Sequence, residues 1–266
     1  MDSKTLLIHV QPSPASEACL EAAVELAAKL GAELVGLGGR EPLIRVEPLA
    51  ADYGGGYAVE AAAEADRRLL TDAEASFRNL APGSLWRAVA RYPTDALCEN
   101  AAGADLVIIG LGRAARDFAP DPAQTVLRAG LPVIAMPAGQ RRLGCERIII
   151  AWKDTREARR AVSDALPLLR RAREVSIVSV ATRSEKAVAP AEILVTRLAR
   201  HGVKAALESV STRHDPADRL IKVALSQGAD LMVAGAFGHS RAGEWLLGGM
   251  TQSLLEQSAL PVLFSH

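Results

Sequence analysis

The chain has no excess of either charge. Lysine and arginine number 31 and aspartate and glutamate 31 over 266 residues. A nucleic-acid binder usually shows a basic excess or stripe. Its absence sets that class aside, and the arginine-rich pieces RAREV (171–175) and QRRLG (140–144) read as solvated surface. Cysteine occurs three times. Cys19, Cys98 and Cys145 cannot form a disulfide framework, and their spacing matches no metal-ligand pattern. Cys19 and Cys98 lie in Ala/Leu-rich helical text and read as buried free thiols. No apolar run approaches the roughly 18 residues that a membrane span needs. The start MDSKTLLIHVQPSP has neither the basic opening nor the apolar core of a secretory signal. The expected location is therefore the cytoplasm, and no membrane or nucleic-acid partner is expected.

Catalytic signatures are missing too. There is no G-x-S-x-G elbow, no zinc spacing, no paired carboxylate motif, and neither a P-loop nor a G-x-G-x-x-G fingerprint. No catalytic residue and no metal ligand can be named, so enzymatic activity is left open.

What the chain does contain is a copy of itself. GADLVIIGLG (103–112) returns as GADLMVAGAFG (228–238), shifted by 125 residues. LPVIAMP (131–137) returns as LPVLFSH (260–266), shifted by 129, and TLLIHVQPS (5–13) returns as RIIIAWKDT (147–155), shifted by 142. Three matches in one order mean a duplicated domain. The changing shift puts 17 extra residues in the first copy, around LIRVEPLAADYGGGYAVEAAAEADRRLL, and four extra in the second copy between Gly235 and Leu260. The polar stretch PAGQRRLGCER (137–147) reads as a linker. The domains are expected at 1–140 and 141–266.

Each copy alternates apolar runs with amphipathic ones. In the second copy RIIIAW, VSIVSV, KAALESV, DLMVAG and PVLFS suit strands buried on both faces. TREARRAVSDALPLLRRA, APAEILVTRLARHG, DPADRLIKVALSQG and GGMTQSLLEQSA suit helices. Asp154-Thr-Arg-Glu157 has the form of a capping box, glycines close ARHG and LSQG, and Ser13-Pro14 opens the first helix of the first copy. The fold class is α/β: two tandem, doubly wound, Rossmann-like domains, each with a five-stranded parallel sheet. Ligands in such sheets bind at the carboxyl ends of the strands, where strand order reverses.

Three pieces of the second copy should meet there: Asp154 after the first strand, Val180 at the end of the second, and the stretch GAFGHSRAGEWLLGGMT (235–251). Glycine lets backbone N–H groups approach an anion, and a helix N-terminus offers unpaired donors and a positive dipole end. Gly248 and Gly249 would present such donors, and Thr251 could add a hydroxyl.

The spacing Gly235-x2-Gly238-x9-Gly248, with Asp154 and the terminal LPVLF, resembles the nucleotide-binding pattern of the universal stress protein family, as two tandem domains. The resemblance implies a stress-response regulator or sensor holding ATP or ADP, with magnesium, without ready hydrolysis. Asp154 and the Val180 backbone would then read the adenine and ribose end. Gly235 and Gly238 would flank the nucleotide, and Gly248, Gly249 and Met250 would hold phosphates through backbone N–H groups. Gly249 departs from the pattern, which has Ser or Thr there. Trp152 either stacks on a base or blocks the pocket. The family also implies that LPVIAMP and LPVLFSH pair within the chain as an internal pseudo-dimer, with a further homodimer open.

Rival readings stand beside these. Asp154 is also a good N-cap; His239, Ser240 and Arg241 suit a solvated loop, and Trp245 suits packing. YGGGY (53–57) reads as a flexible linker. The first copy, with Pro12 opposite Asp154, and Asp117 and Asp121 in its shorter loop, reads as a half without nucleotide. The alternative function is a nucleotide-free scaffold presenting a protein-binding surface; a slow ATP hydrolase ranks below it.

Overall fold

The computed structural model describes residues 4–40, 55–112, 119–181, 191–238 and 249–266. The first half runs β1 (Thr5–His9), α1 (Pro14–Leu30), β2 (Glu33–Gly39), α2 (Gly55–Leu80), β3 (Leu85–Val89), α3 (Pro93–Asn100), β4 (Leu106–Gly110), α4 (Pro122–Arg128) and β5 (Val133–Met136). The second runs β6 (Arg147–Ala151), α5 (Arg156–Asp164), α6 (Leu166–Leu169), β7 (Glu174–Ala181), α7 (Glu192–Arg200), β8 (Ala205–Ser211), α8 (Pro216–Ser226), β9 (Leu231–Gly235), α9 (Gly249–Gln257) and β10 (Val262–Ser265). The apolar runs of the sequence are the strands, as their Val/Ile/Leu content requires.

The strands form one ten-stranded sheet in the order β3-β2-β1-β4-β5-β10-β9-β6-β7-β8. Each set of five is parallel and doubly wound. The sets join where β5 and β10 pair antiparallel, with Val262 opposite Ala135, Leu263 opposite Ile134 and Phe264 opposite Val133. The family-derived expectation that the two LPV runs meet is thus met in the hydrogen-bonded ladder.

Strand alternation sends side chains to two cores. Ile8, Ile108, Ile134, Leu263, Val233 and Ile150 share one face with α1, α2, α5, α6 and α7. Leu7, Ile109, Val133, Phe264, Met232 and Ile149 share the other with α3, α4, α8 and α9. Both cores run unbroken across the β5–β10 seam.

The extra residues of the first half lie where the repeat puts them, between β2 and β3, where α2 is 26 residues against nine for its counterpart α7. YGGGY differs from expectation: α2 starts at Gly55, carried back by the helical run AVEAAAEADRR, while Tyr53 and Gly54 lie outside the described residues. The stretch read as a polar linker is partly core. Leu143 and Cys145 are buried with the first face, Lys29 donates to the Gly144 carbonyl at 2.9 Å, and Arg141 is paired with Glu21. QRRLG is therefore not merely solvated surface. Cys19 is buried as expected, but Cys98 is only half-buried. Burial pushes the Cys19 and Cys145 thiols up to about 12, which leaves them inert as nucleophiles. Among the described residues no helix is long and apolar enough to cross a membrane.

Candidate functional site

In the second half β7 lies on one side of β6 and β9 on the other. The β6/β9 boundary is the switch point, and the loops after both strands meet above it.

From β6 the chain passes Trp152, Lys153 and Asp154 before α5. Trp152 is buried in the core of the first face, and its indole N–H has no hydrogen-bond partner. Asp154 is not the helix cap. Thr155 is, its hydroxyl accepting from the Ala158 N–H at 3.2 Å. Ser13 caps α1 in the same way, accepting from Ser16 at 3.2 Å. Both Asp and Thr favour the cap position, and the backbone chose the second. Asp154 is left half-exposed, where its carboxylate takes a 2.9 Å bond from Arg159.

At β7, the Trp152 N–H donates to the Val178 carbonyl at 2.8 Å, and β6 pairs no further than Ala151 opposite Val178. Alternate residues of a strand turn their backbone groups to the same side. Val180 therefore presents its N–H and C=O toward the β6 side beyond the end of β6, while β8 continues to pair on its other side.

The loop after β9 is held by three bonds. The Ala236 N–H donates to the Ser265 carbonyl at 2.9 Å, the Phe237 N–H to the Thr251 hydroxyl at 3.0 Å, and His266 Nδ1 lies 3.1 Å from the Ala236 carbonyl. The His266 ring also meets Phe237 edge-on, centroids 6.2 Å apart. These ties hold Phe237 at a φ of 55°, a left-handed conformation that non-glycine residues rarely adopt. Thr251 is 3% exposed, and its oxygen is engaged in this latch.

Two helix N-termini press on the loop from opposite faces. On one side a Cβ at Gly235 would lie 2.4 Å from the Ala158 nitrogen, and one at Gly238 would lie 2.7 Å from Glu157 Oε2. Gly235 is thus required by the close approach of α5. On the other side α9 opens on Gly249, around which an added Cβ meets nothing within 4 Å. Met250 beside it is exposed. Gly248, His239, Ser240, Arg241 and Trp245 lie outside the described residues, as does Asp117 in the first half.

Glu157, read from the sequence only as a capping partner, is 4% exposed. Oε1 accepts from Arg156 at 3.0 Å, and Oε2 has no partner. Burial raises its carboxyl, but the backbone N–H of Glu157, Arg156 and Thr155 outweigh burial and hold it below the usual range. Among the described residues no group of three His, Cys, Asp or Glu can hold a metal.

The first half fills the same places differently. His9 stands at the end of β1, 5% exposed, with Nε2 unpartnered. Burial holds its imidazole down at about 4. Asp121 caps α4, accepting from Gln124 at 2.8 Å.

A doubly wound α/β half with a pinned glycine loop at its switch point is the class that these features define. Residues 144–266 match the model of the universal stress protein family. Among solved structures, a universal stress protein from Archaeoglobus fulgidus DSM 4304 covers 100% of this chain and 96% of its own, at 15% identity and a TM-score of 0.66. A functionally unknown protein from Pseudomonas aeruginosa PAO1 covers 99% and 92%, at 17% identity and a TM-score of 0.59. The fold similarity therefore spans both halves. No curated protein matches the chain.

Proposed function

We propose that the C-terminal half holds an adenine nucleotide, ATP or ADP, above β6, β7 and β9, and acts as a regulator or sensor that does not readily hydrolyse it. The observation that carries this reading is the strained, triply tied loop at Phe237, set between the N-termini of α5 and α9. Backbone strain that a fold maintains by several bonds points to function. The residues fit the group. Val180 offers a donor and an acceptor side by side at the open end of β7, which suits the edge of a base. Gly249 and Met250 open α9 without a charged side chain, so its first N–H groups and dipole face an incoming phosphate. Asp154, after β6, is exposed and able to exchange Arg159 for ribose hydroxyls. Thr251 supports the loop by accepting from the Phe237 N–H, and its hydroxyl proton remains a donor for a phosphate oxygen. Magnesium would arrive on the phosphates, where one or two carboxylates suffice, and Glu157 Oε2 is the carboxylate oxygen beside Gly238.

The test is mass spectrometry of small molecules released from freshly purified protein, with thermal melting in the presence and absence of Mg-ATP. A ligand at about 100 times its Kd stabilises the fold by about 2.7 kcal/mol, which melting resolves. Absence of bound nucleotide together with no melting shift would overturn the reading and leave the scaffold alternative. Phosphate release followed over hours separates holding from hydrolysis.

A further inference from the structure

The neutrality of the chain conceals a division. Residues 1–140 contain 12 Lys and Arg against 18 Asp and Glu, and residues 141–266 contain 19 against 13, so the halves carry −6 and +6. The imbalance is concentrated on one face of the sheet. In α1 and α2, on that face, eight acids meet four bases. In α5, α6, the turn that follows and α7, on the same face, eight arginines meet three acids. On the opposite face α3 and α4 sum to −1, and α8 and α9 to zero. Local pairing takes up part of the charge on both sides: Arg156, Arg159, Arg160 and Arg173 each meet a carboxylate, and Glu21, Glu25, Glu64 and Glu74 each meet a base, which leaves the remaining arginines to set the basic side. Arg170 contacts His201, Arg171 a carbonyl and Arg197 a serine hydroxyl, none of them an acid. Amid these arginines Ile193 is 75% exposed.

We propose that this face is where a second copy of the chain docks, the acidic half of each copy lying on the basic half of the other. A two-fold axis between two such faces, running along the strands, makes both contacts at once; this is an isologous, closed arrangement. The charge pattern that repels a parallel superposition is self-complementary in this one, which selects the orientation. Size is sufficient. Ten strands at about 4.8 Å spacing make the face about 48 Å wide. With α1's 17 residues at about 1.5 Å rise it is about 25 Å deep. That footprint, about 1,200 Å² per copy, exceeds the roughly 800 Å² that a stable complex buries per partner. Ile193 supplies an apolar anchor within a charged surround. The proposal does not depend on nucleotide binding.

The test is sedimentation velocity of the full chain at low and high salt, on wild type and two variants. One variant reverses the basic half (Arg170→Glu with Arg200→Glu), the other the acidic half (Glu17→Arg with Asp72→Arg). Wild type is expected to be dimeric at about 0.02 M salt and to dissociate at about 0.5 M, where the Debye length shrinks to a few ångströms. Each variant alone, shown folded by circular dichroism, should dimerise at least tenfold more weakly, and an equimolar mixture of the two should recover the dimer mass. A wild type that is monomeric at low salt overturns the proposal, as does a dimer that survives both salt and charge reversal, or a mixture that stays monomeric. Low-salt binding of a polyanion such as heparin by a monomer that never pairs would assign the basic half to a different partner and overturn it equally.

Discussion

At the end of β4 a Cβ added to Gly110 would lie 3.5 Å from Cys19 Cβ, an ordinary contact; at the end of β9, one added to Gly235 would lie 2.4 Å from the Ala158 nitrogen. The two glycines occupy equivalent places, yet only one is compelled. In the second half α5 has moved down onto the loop and put Glu157 under Gly238, where the first half has Ala15 at the corresponding position of its helix. In the first half Asp121 occupies the N-terminus of α4 with its own carboxylate, so a foreign anion has nothing to neutralise there. The comparison teaches that a half can keep the strands, the topology and the helix caps while changing what the crevice is prepared to receive. It also separates glycines kept for packing from glycines kept for access. Gly235 belongs to the first kind and Gly249, with open space around it, to the second.

That contrast can be broken. The largest effect is expected from Gly235→Ala, which drives a Cβ into helix backbone and should cost about 3 kcal/mol or prevent folding. Gly110→Ala should cost less than about 1 kcal/mol, and chemical denaturation compares the two. Next comes pH, acting through His9. Its folded-state pKa of about 4 lies below the ordinary 6.5, so between these values the unfolded chain binds a proton that the folded chain refuses. Stability contributed through His9 therefore falls as pH drops from about 6.5 to about 4, by about 3 kcal/mol in all. Denaturation of His9→Gln at pH 7 and pH 4.5 should show a correspondingly flatter loss; an unchanged slope would refute this. Thr251→Val removes the latch on Phe237 and leaves a half-buried N–H unpaired, at a cost of about 1 kcal/mol. Gly249→Ser sharpens the contrast from the other side. The space is there for the hydroxyl, and calorimetry should show ATP binding strengthened about two- to tenfold, the worth of one hydrogen bond. Smallest is Asp154→Asn: its pair with Arg159 is exposed, so stability should stay within about 0.5 kcal/mol, and any effect should fall on nucleotide affinity.

The strands were legible because buried parallel strands write themselves as uninterrupted Val/Ile/Leu runs and because three of the runs occur twice; the pairing across β5 and β10 came only from the family resemblance. The helix caps were legible to within one residue. Asp154 and Thr155 are both good caps, and nothing in the sequence ranks them; only the backbone shows that Thr155 bonds Ala158. The burial of Trp152 could not be read from the sequence, because it depends on how α5 packs over the end of β6. For the same reason the sequence could not separate Glu157 as a capping residue from Glu157 as a buried carboxylate. Leu143 and Cys145 sat in text whose polarity suggested a tether, and two apolar side chains were enough to fasten it down. The charge division escaped notice because opposite halves cancel in a total.

The position of β10 sets an order of events during synthesis. It lies in the middle of the sheet, against β5, but follows it by more than 120 residues, from Met136 to Val262. At about 5–20 residues per second, the ribosome takes about 6–25 s to make the intervening chain. Through that interval β5 is a bare apolar edge, a template for any extended segment that passes. The nascent first half must therefore either wait folded with a sticky rim or delay closing until its twin emerges. A chaperone that shields strand edges would act in that window, and its removal should lower the yield of the full chain more than that of a protein whose central strands are made consecutively.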